Sequence, residues 1–199
     1  MKKFGVPQGV TLLAALALAA TPPVIAQESV PMQIIQGSTP ERPFTVIYPD
    51  VLRVIDDGSD VTVITLQHPN AIMQCDALVG DGAPADWTAE SALANLNTGE
   101  IISTWSPDFP GFRITNQSTT NFQSGPALIY EAEADNSPFG VPAKIVYAEA
   151  VDGGRNYAIQ CIVDLSEAAD ARPMIDFLVA NFSTRSDGTC CVDPADPRG

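Results

Sequence analysis

One predicted strand of this chain, from Asn156 to Asp164, is apolar on both of its faces. The apolar residues are Tyr157, Ile159, Cys161 and Val163 on one face and Ala158 and Ile162 on the other. Because successive side chains of a strand point to opposite faces, a sheet with water on one side would show polar residues at alternate positions. This pattern therefore predicts a sheet that is covered on both faces.

The other elements agree with that architecture. Further strand patterns occupy 44–48, 51–55, 61–66, 71–79, 112–122, 128–134 and 143–151. Most are joined by hairpin-length turns, which favour antiparallel order. A first helical pattern begins at Thr88 and extends to about Trp105. A second begins at about Ser166, ends at Phe182 and has an apolar stripe. The stripe consists of Ile175, Leu178, Val179 and Phe182. We predict an α+β domain, an antiparallel meandering sheet of about six to seven strands with helices packed on both faces (an α/β/α sandwich).

The start of the chain has the pattern of a secretory signal peptide. Lys2 and Lys3 precede an apolar run at 10–20, and small residues lead up to Ala26. The apolar run is about half of the roughly 20 residues that a membrane-spanning helix needs. We predict cleavage between Ala26 and Gln27, periplasmic or secreted localisation, and no membrane anchor in the mature form.

The remaining chain is predicted to contain one folded domain. Residues 1–26 are the signal peptide, and 27–43 are a polar, proline-containing segment that we interpret as a flexible leader. The domain itself occupies 44–182, a length that suits a single core. Residues 183–199 form an acidic tail with few apolar side chains and two cysteines.

The mature chain is strongly acidic. Without Lys2 and Lys3, 8 basic residues stand against 24 acidic ones, a net charge of −16. Such a field repels nucleic acid and anionic membranes, so we predict that neither is a partner. Two interpretations of the acidity are open. It can simply keep the protein soluble, or it can serve to attract a basic partner.

Four cysteines in an exported chain predict structural disulfides. Cys75 and Cys161 lie on predicted strands, whereas Cys190 and Cys191 are adjacent in the tail. We favour a Cys75–Cys161 bridge, with the tail pair bonded to itself or reserved for another molecule. The alternative is a bridge from the tail to either strand.

Four aromatic residues near the first helix form a possible binding patch. They are Trp87, Trp105, Phe109 and Phe112. Exposed together they would bind a partner, but aromatic residues more often pack a helix onto a sheet, and we favour that interpretation.

The sequence shows no recognisable catalytic constellation. His68 is the only histidine and has no Gly-x-Ser-x-Gly nucleophile motif to act with. Asp56, Asp57 and Asp60 share a turn, but their spacing is not that of a calcium loop, and whether they bind a cation is left open. We therefore assign no catalytic, cofactor-binding or metal-binding residue and predict no cofactor.

Four segments of the chain resemble the PsbP-like fold. Phe44–Pro49 is similar to the opening strand and Tyr-Pro turn, and Gly125–Ala127 to the start of the central hairpin. Tyr157–Cys161 resembles the last strand, and Pro173–Phe182 the closing helix. This superfamily includes the PsbP subunit of photosystem II, a Ran-binding nuclear import factor and secreted bacterial proteins of unknown role. The resemblance covers 44–182 and implies a fold, and no functional residue carries over with it.

These observations predict an exported, non-catalytic domain that binds a partner protein or assembly outside the cytoplasm. Two alternatives are a small-ligand carrier, with a pocket between sheet and helix, and a hydrolytic enzyme. A pocket with two or more convergent polar groups would favour either alternative. A flat exposed aromatic patch would favour the binding domain.

Overall fold

The computed structural model describes residues 30–37, 39–56 and 60–194, so the predicted signal peptide and its cleavage site lie outside the described residues. The strands are β1 Met32–Gln36, β2 Thr45–Pro49, β3 Arg53–Asp56, β4 Thr62–Gln67, β5 Met73–Asp81, β6 Arg113–Phe122, β7 Gly125–Ala134, β8 Ala143–Asp152, β9 Arg155–Asp164 and β10 Phe182–Ser183. The helices are α1 Ala89–Ala94, α2 Thr98–Trp105 and α3 Ala168–Ala180, with a 3-10 turn at Leu165–Glu167 before α3.

The main sheet has seven strands in the order β3-β4-β5-β9-β8-β7-β6, and all neighbours are antiparallel. The predicted α+β class is confirmed. The sheet is two meanders, β3 to β5 and β6 to β9, joined where β9 pairs with β5. A second, three-stranded sheet has the order β1-β2-β10 and contains the predicted opening strand.

Helix α3 and the small sheet cover one face of the main sheet. Ile175, Leu178 and Val179 of α3 are buried there at helical spacing, as the sequence predicts. Phe182, the last residue of the predicted stripe, lies beyond the helix in β10. Its ring meets that of Phe122 edge-on, with centroids 4.9 Å apart. This face forms the larger hydrophobic cluster of the domain.

Helices α1 and α2 cover part of the opposite face. The sequence predicts one helix here, whereas the structure breaks it at Asn95–Asn97. The Asn95 side chain donates to the Ser91 carbonyl, and the Asn97 side chain accepts from the Glu100 amide. Asparagine side chains that bond nearby backbone groups compete with helical hydrogen bonds, so the pair ends α1 and caps α2.

Parts of the predicted leader and tail belong to the folded structure. Met32–Gln36 pairs with β2 as strand β1. The Thr45 hydroxyl donates to the Arg185 carbonyl and accepts from the Gly188 amide, which holds the start of the tail against β2. Local composition predicts a loose segment in both places. It misses these contacts because the residues that hold each segment are distant in sequence.

The predicted disulfide between β5 and β9 is confirmed. Cys75 and Cys161 are directly opposite in register, with Cα atoms 4.1 Å apart, and both are buried. The structure also joins Cys190 to Cys191. No bridge therefore connects the tail to the strands.

Candidate functional site

A cleft of about 730 Å³ opens between the α1–α2 layer and strands β7 and β8. Its size is within the range of ligand-binding clefts. Trp87 and Trp105 contribute from the helix side, and Tyr130, Tyr147 and Glu149 from the sheet side. We refer to it as the aromatic cleft. It lies on the face of the main sheet that is opposite α3.

The aromatic rings of this region pack as a connected group. Trp105 stacks on Phe112 at a centroid distance of 5.4 Å and meets Tyr147 edge-on at 6.3 Å. Tyr147 in turn stacks on Tyr130 at 5.0 Å. Offset-stacked and edge-on contacts are favourable geometries for aromatic pairs, so one wall and the floor of the cleft support each other.

The structure divides the four aromatic residues of the predicted patch into two pairs. Phe109 and Phe112 are each 5% exposed and pack beneath Trp105. Trp87 and Trp105 are half-buried and line the cleft. The phenylalanines therefore hold the exit loop of α2 against the sheet, and only the tryptophans present surface to a ligand.

Glu149 is the ionisable group at the floor of the cleft. Its Oε2 accepts a hydrogen bond from the Tyr147 hydroxyl at 3.3 Å and one from the Asn156 amide at 3.4 Å. Its Oε1 accepts no hydrogen bond from the residues that the structure describes. One carboxylate oxygen is therefore held in place while the other is available to a ligand.

Burial is the main electrostatic influence on this carboxyl. Removal from water raises the pKa of Glu149 above its usual range, and the bonds from Asn156 and Tyr147 only partly oppose that shift. Burial also raises the pKa of Tyr147 and of Tyr130. Both phenols are therefore neutral at physiological pH, and Tyr147 can donate to the carboxylate.

A smaller cavity of about 270 Å³ shares Trp87 and Glu149 with the aromatic cleft and adds Asn156. The Asn156 Oδ1 atom is buried and has no hydrogen-bond partner within the described part of the chain. A buried acceptor without a donor is costly and rare in folded proteins. The Asn156 side chain, which donates to Glu149 Oε2, therefore keeps its own oxygen without a donor from the described residues.

The charge of this region is negative. Glu100 and Glu149 line the cleft; Asp81 lines the smaller cavity, where it is paired with Arg42 and Arg155. No lysine or arginine lines either one among the described residues. Neither carboxylate of the cleft forms an ion pair within that same part of the chain, so the site is complementary to a cation.

A second groove, between β6 and α3, has a different character. Its volume is about 350 Å³, and it contains Glu131 and Arg172. Glu131 Oε2 lies 3.0 Å from Lys144 Nζ, and Oε1 lies 2.8 Å from Arg172 Nη1. Burial raises the pKa of Glu131, but the two cations outweigh it and hold that pKa below its usual range. Both oxygens are satisfied, so this network links β7, β8 and α3.

None of the remaining sequence candidates that the structure describes lines the cleft. His68 follows β4, and its Nδ1 accepts from the Asn70 amide within the same turn. Asp57 lies outside the described residues, and the Asp60 carbonyl accepts from the Arg42 guanidinium. No cluster of three or more potential metal ligands occurs among the residues that the structure describes.

Sequence reasoning missed Glu149, Tyr147 and Asn156. A signal was present, because Glu149 interrupts the apolar residues of a strand whose two faces are both covered. Tyr147 is two positions earlier and therefore shares the face of Glu149. Asn156 lies on the neighbouring strand β9, and its proximity depends on the β8–β9 register.

In the described part of the chain, no helix is both long enough and apolar enough to cross a membrane. No protein-family model matches the chain, and no curated protein matches it by sequence.

Comparison with solved structures shows the fold. Cyanobacterial PsbP (CyanoP) from Synechocystis sp. PCC 6803 is similar with a TM-score of 0.57 and 10% identity, over 83% of this chain and 98% of that chain. LpqN of Mycobacterium tuberculosis, a protein involved in cell envelope biogenesis, has a TM-score of 0.51 and 13% identity, over 77% and 90% of the two chains. The chain therefore has the PsbP-like fold, as the sequence resemblance implies.

Proposed function

We propose that this PsbP-like chain is an exported, non-catalytic binding domain whose ligand is a basic segment of a partner protein. One lysine or arginine side chain of that segment enters the aromatic cleft. The observation that carries the proposal is the Glu149 carboxyl, which is half-buried among aromatic rings and has one oxygen without a donor from the described residues.

The chemistry of the cleft suits an ammonium or guanidinium group. Such a group carries only donors, and Glu149 Oε1 is an acceptor without a donor from the described residues. The half-buried rings of Trp87 and Trp105 supply surfaces for cation–π contact. A cation would also offset the cost of holding the Glu149 charge away from water.

The overall charge supports the same choice of ligand. The mature chain predicted from the sequence has a net charge of −16, which draws basic partners towards it and repels acidic ones. Electrostatic complementarity of this kind mainly accelerates association and selects the partner. The cleft then supplies the short-range contacts.

Export is the second part of the proposal. It is supported by the signal-peptide pattern of residues 1–26 and by the buried Cys75–Cys161 bridge, since disulfides persist chiefly in oxidising compartments. Mass spectrometry of the protein recovered from cells tests it. We expect Gln27 at the amino terminus, and a mature form that retains Lys2 and Lys3 would overturn export by this signal.

The binding experiment uses two probes, N-acetyl-arginine amide and an uncharged-capped nonapeptide containing three arginines. Titration is followed by the indole and amide NMR signals of Trp87 and Trp105. We expect these signals to shift, and Glu149→Gln to weaken nonapeptide binding by about tenfold, because a charge-assisted bond becomes a neutral one.

Glu41→Gln is the matched control. Glu41 is exposed in the loop between β1 and β2, so the substitution removes the same unit of charge outside the cleft. We expect it to change affinity by less than about twofold at 0.15 M salt, where distant surface charges are screened. Equal effects of the two variants would show that binding depends on net charge and not on the cleft.

A carrier of a small cationic molecule is the second candidate. It is supported by the meeting of the two cavities at Trp87 and Glu149, where one Glu149 oxygen has no donor from the described residues. The two probes distinguish these functions. A partner-binding domain binds the nonapeptide much more tightly than the single blocked arginine, whereas a carrier binds both with similar affinity per site.

A further inference from the structure

The disulfide between Cys190 and Cys191 is presented at the surface by two side-chain clamps. On one side, the Gln123 amide donates to the Thr189 carbonyl at 2.7 Å and accepts from the Thr189 amide at 3.2 Å. On the other side, the buried Asn181 donates to the Val192 carbonyl at 2.8 Å and accepts from the Val192 amide at 2.7 Å. The two residues between the clamps are the bonded cysteines.

The two disulfides of the chain differ in accessibility. Cys75 and Cys161 are each 1% exposed. Cys190 and Cys191 are both exposed, and they border a shallow surface cavity of about 450 Å³. A thiolate must reach a sulfur atom to attack it, so only the tail disulfide is open to exchange in the folded protein.

The tail disulfide has no evident structural task. In the loop-entropy model, a bridge stabilises a fold in proportion to the logarithm of the loop that it closes. A bond between adjacent residues closes no loop of other residues. The clamps by Gln123 and Asn181 already fix the tail on both sides of it.

We propose that Cys190–Cys191 is a site of reversible thiol–disulfide exchange, and that its substrate is the dithiol of a partner protein. A thiolate of that dithiol attacks one of the two sulfur atoms. The Cys190–Cys191 bond breaks, a mixed disulfide forms, and the other cysteine leaves as a thiolate.

The second thiol of the partner completes the reaction. It attacks the mixed disulfide and releases the remaining cysteine, so the partner becomes a disulfide and the tail a dithiol. Two electrons pass from partner to tail, and the two protons lost by the partner's thiols are taken up by Cys190 and Cys191. The clamps keep the site presented to a protein surface throughout the cycle.

The experiment compares the two disulfides in the folded full-length mature protein. Dithiothreitol and reduced thioredoxin serve as probes, free thiols are trapped with N-ethylmaleimide without denaturant, and the labels are mapped by mass spectrometry. We expect labels on Cys190 and Cys191 at a rate at least about 100-fold greater than on Cys75 and Cys161, whose exchange requires opening of the core. Treatment with oxidised glutathione should restore the tail bond.

Several results would overturn the proposal. They include free thiols at Cys190 and Cys191 in protein purified under oxidising conditions, a bridge from either residue to another chain, and equal reduction rates for the two disulfides. A Cys190→Ser/Cys191→Ser variant provides a second check. It should keep the melting temperature of the wild type, and a large fall would show that the bond is structural.

Discussion

The Tyr147 hydroxyl donates a hydrogen bond to Glu149 Oε2 at 3.3 Å, and both residues stand on the same face of β8. Strand geometry brings residues i and i+2 to one face, so this contact is local in origin. The environment that gives it significance is not local, because Trp87 and the α1–α2 layer line the same cleft and the carboxyl is half-buried there. The result is an acidic group whose charged form is unfavourable until a cation arrives.

We expect Glu149→Gln to stabilise the unliganded protein at neutral pH. Glutamine has the same shape and can accept from Tyr147, but it carries no charge to keep in a half-buried site. Urea denaturation of the variant and of wild type at pH 7 checks this. A less stable variant would mean that Glu149 supports the fold.

The same substitution should change the dependence of stability on pH. Because the folded state raises the pKa of Glu149, the folded protein binds a proton more tightly than the unfolded chain does. This group therefore lowers the free energy of unfolding as pH rises from its ordinary pKa through the raised one. We expect wild type and Glu149→Gln to have similar stability below about pH 4 and to diverge above it. Parallel pH profiles would contradict this.

Removal of the buried disulfide should be strongly destabilising. Cys75 and Cys161 are 86 residues apart in sequence. Their bridge closes a long loop and therefore lowers the conformational entropy of the unfolded chain. We expect a Cys75→Ala/Cys161→Ala variant to lose about 2–5 kcal/mol, as is typical for native disulfides. Denaturant titration measures the loss, and a change of less than about 1 kcal/mol would show that the bridge adds little.

Two glycines with similar backbone angles should respond differently to alanine. Gly111 has φ +77°, and a Cβ there would collide with the Asp135 side chain, which pairs with Arg113. Gly140 has φ +78° but open space around it. We expect Gly140→Ala to cost roughly 1–2 kcal/mol, the strain of the left-handed conformation, and Gly111→Ala to cost clearly more. Thermal denaturation compares them, and equal costs would mean that Asp135 moves aside freely.

The clamp residue Asn181 offers a test of how the tail is held. Asn181 is fully buried and bonds the Phe177 carbonyl as well as both backbone groups of Val192. We expect Asn181→Ala to cost about 1–3 kcal/mol and to speed hydrogen exchange at the Val192 amide, because that amide loses its acceptor. Exposed Asn136, mutated to Ala, is the control and should leave this exchange unchanged.

Much of the fold follows from patterns that are local in the sequence. Two-sided apolar strands such as Asn156–Asp164 require cover on both faces, and the stripe of the last helix identifies the side that it buries. These patterns predicted the α+β class. Four short segments resemble the PsbP-like fold and therefore predict that fold. The Cys75–Cys161 pairing was preferred on the sequence, although other pairings were open.

The sequence predicts only part of the aromatic cleft. Trp87 and Trp105 were candidates, but nothing local distinguished them from Phe109 and Phe112, which became core. Asn156 and Glu149 approach each other because β8 and β9 pair in one register, and a one-residue slip would send one set of side chains to the other face. That register is set by the two-residue Gly153-Gly154 turn, in which both glycines have positive φ, so only the Asp-Gly-Gly turn signal of the sequence points to this contact.

By itself, the sequence determined most strands of the main sheet, the last helix and which of their faces are buried, because these properties depend on side-chain periodicity over a few residues. Only the tertiary structure decided that Met32–Gln36 joins a second sheet, that β5 pairs with β9, and that Glu149 lines a cleft with Trp87 and Trp105. Each of these depends on contacts between residues far apart in the chain. These contacts form only when the whole domain is folded, so no local sequence pattern predicts them.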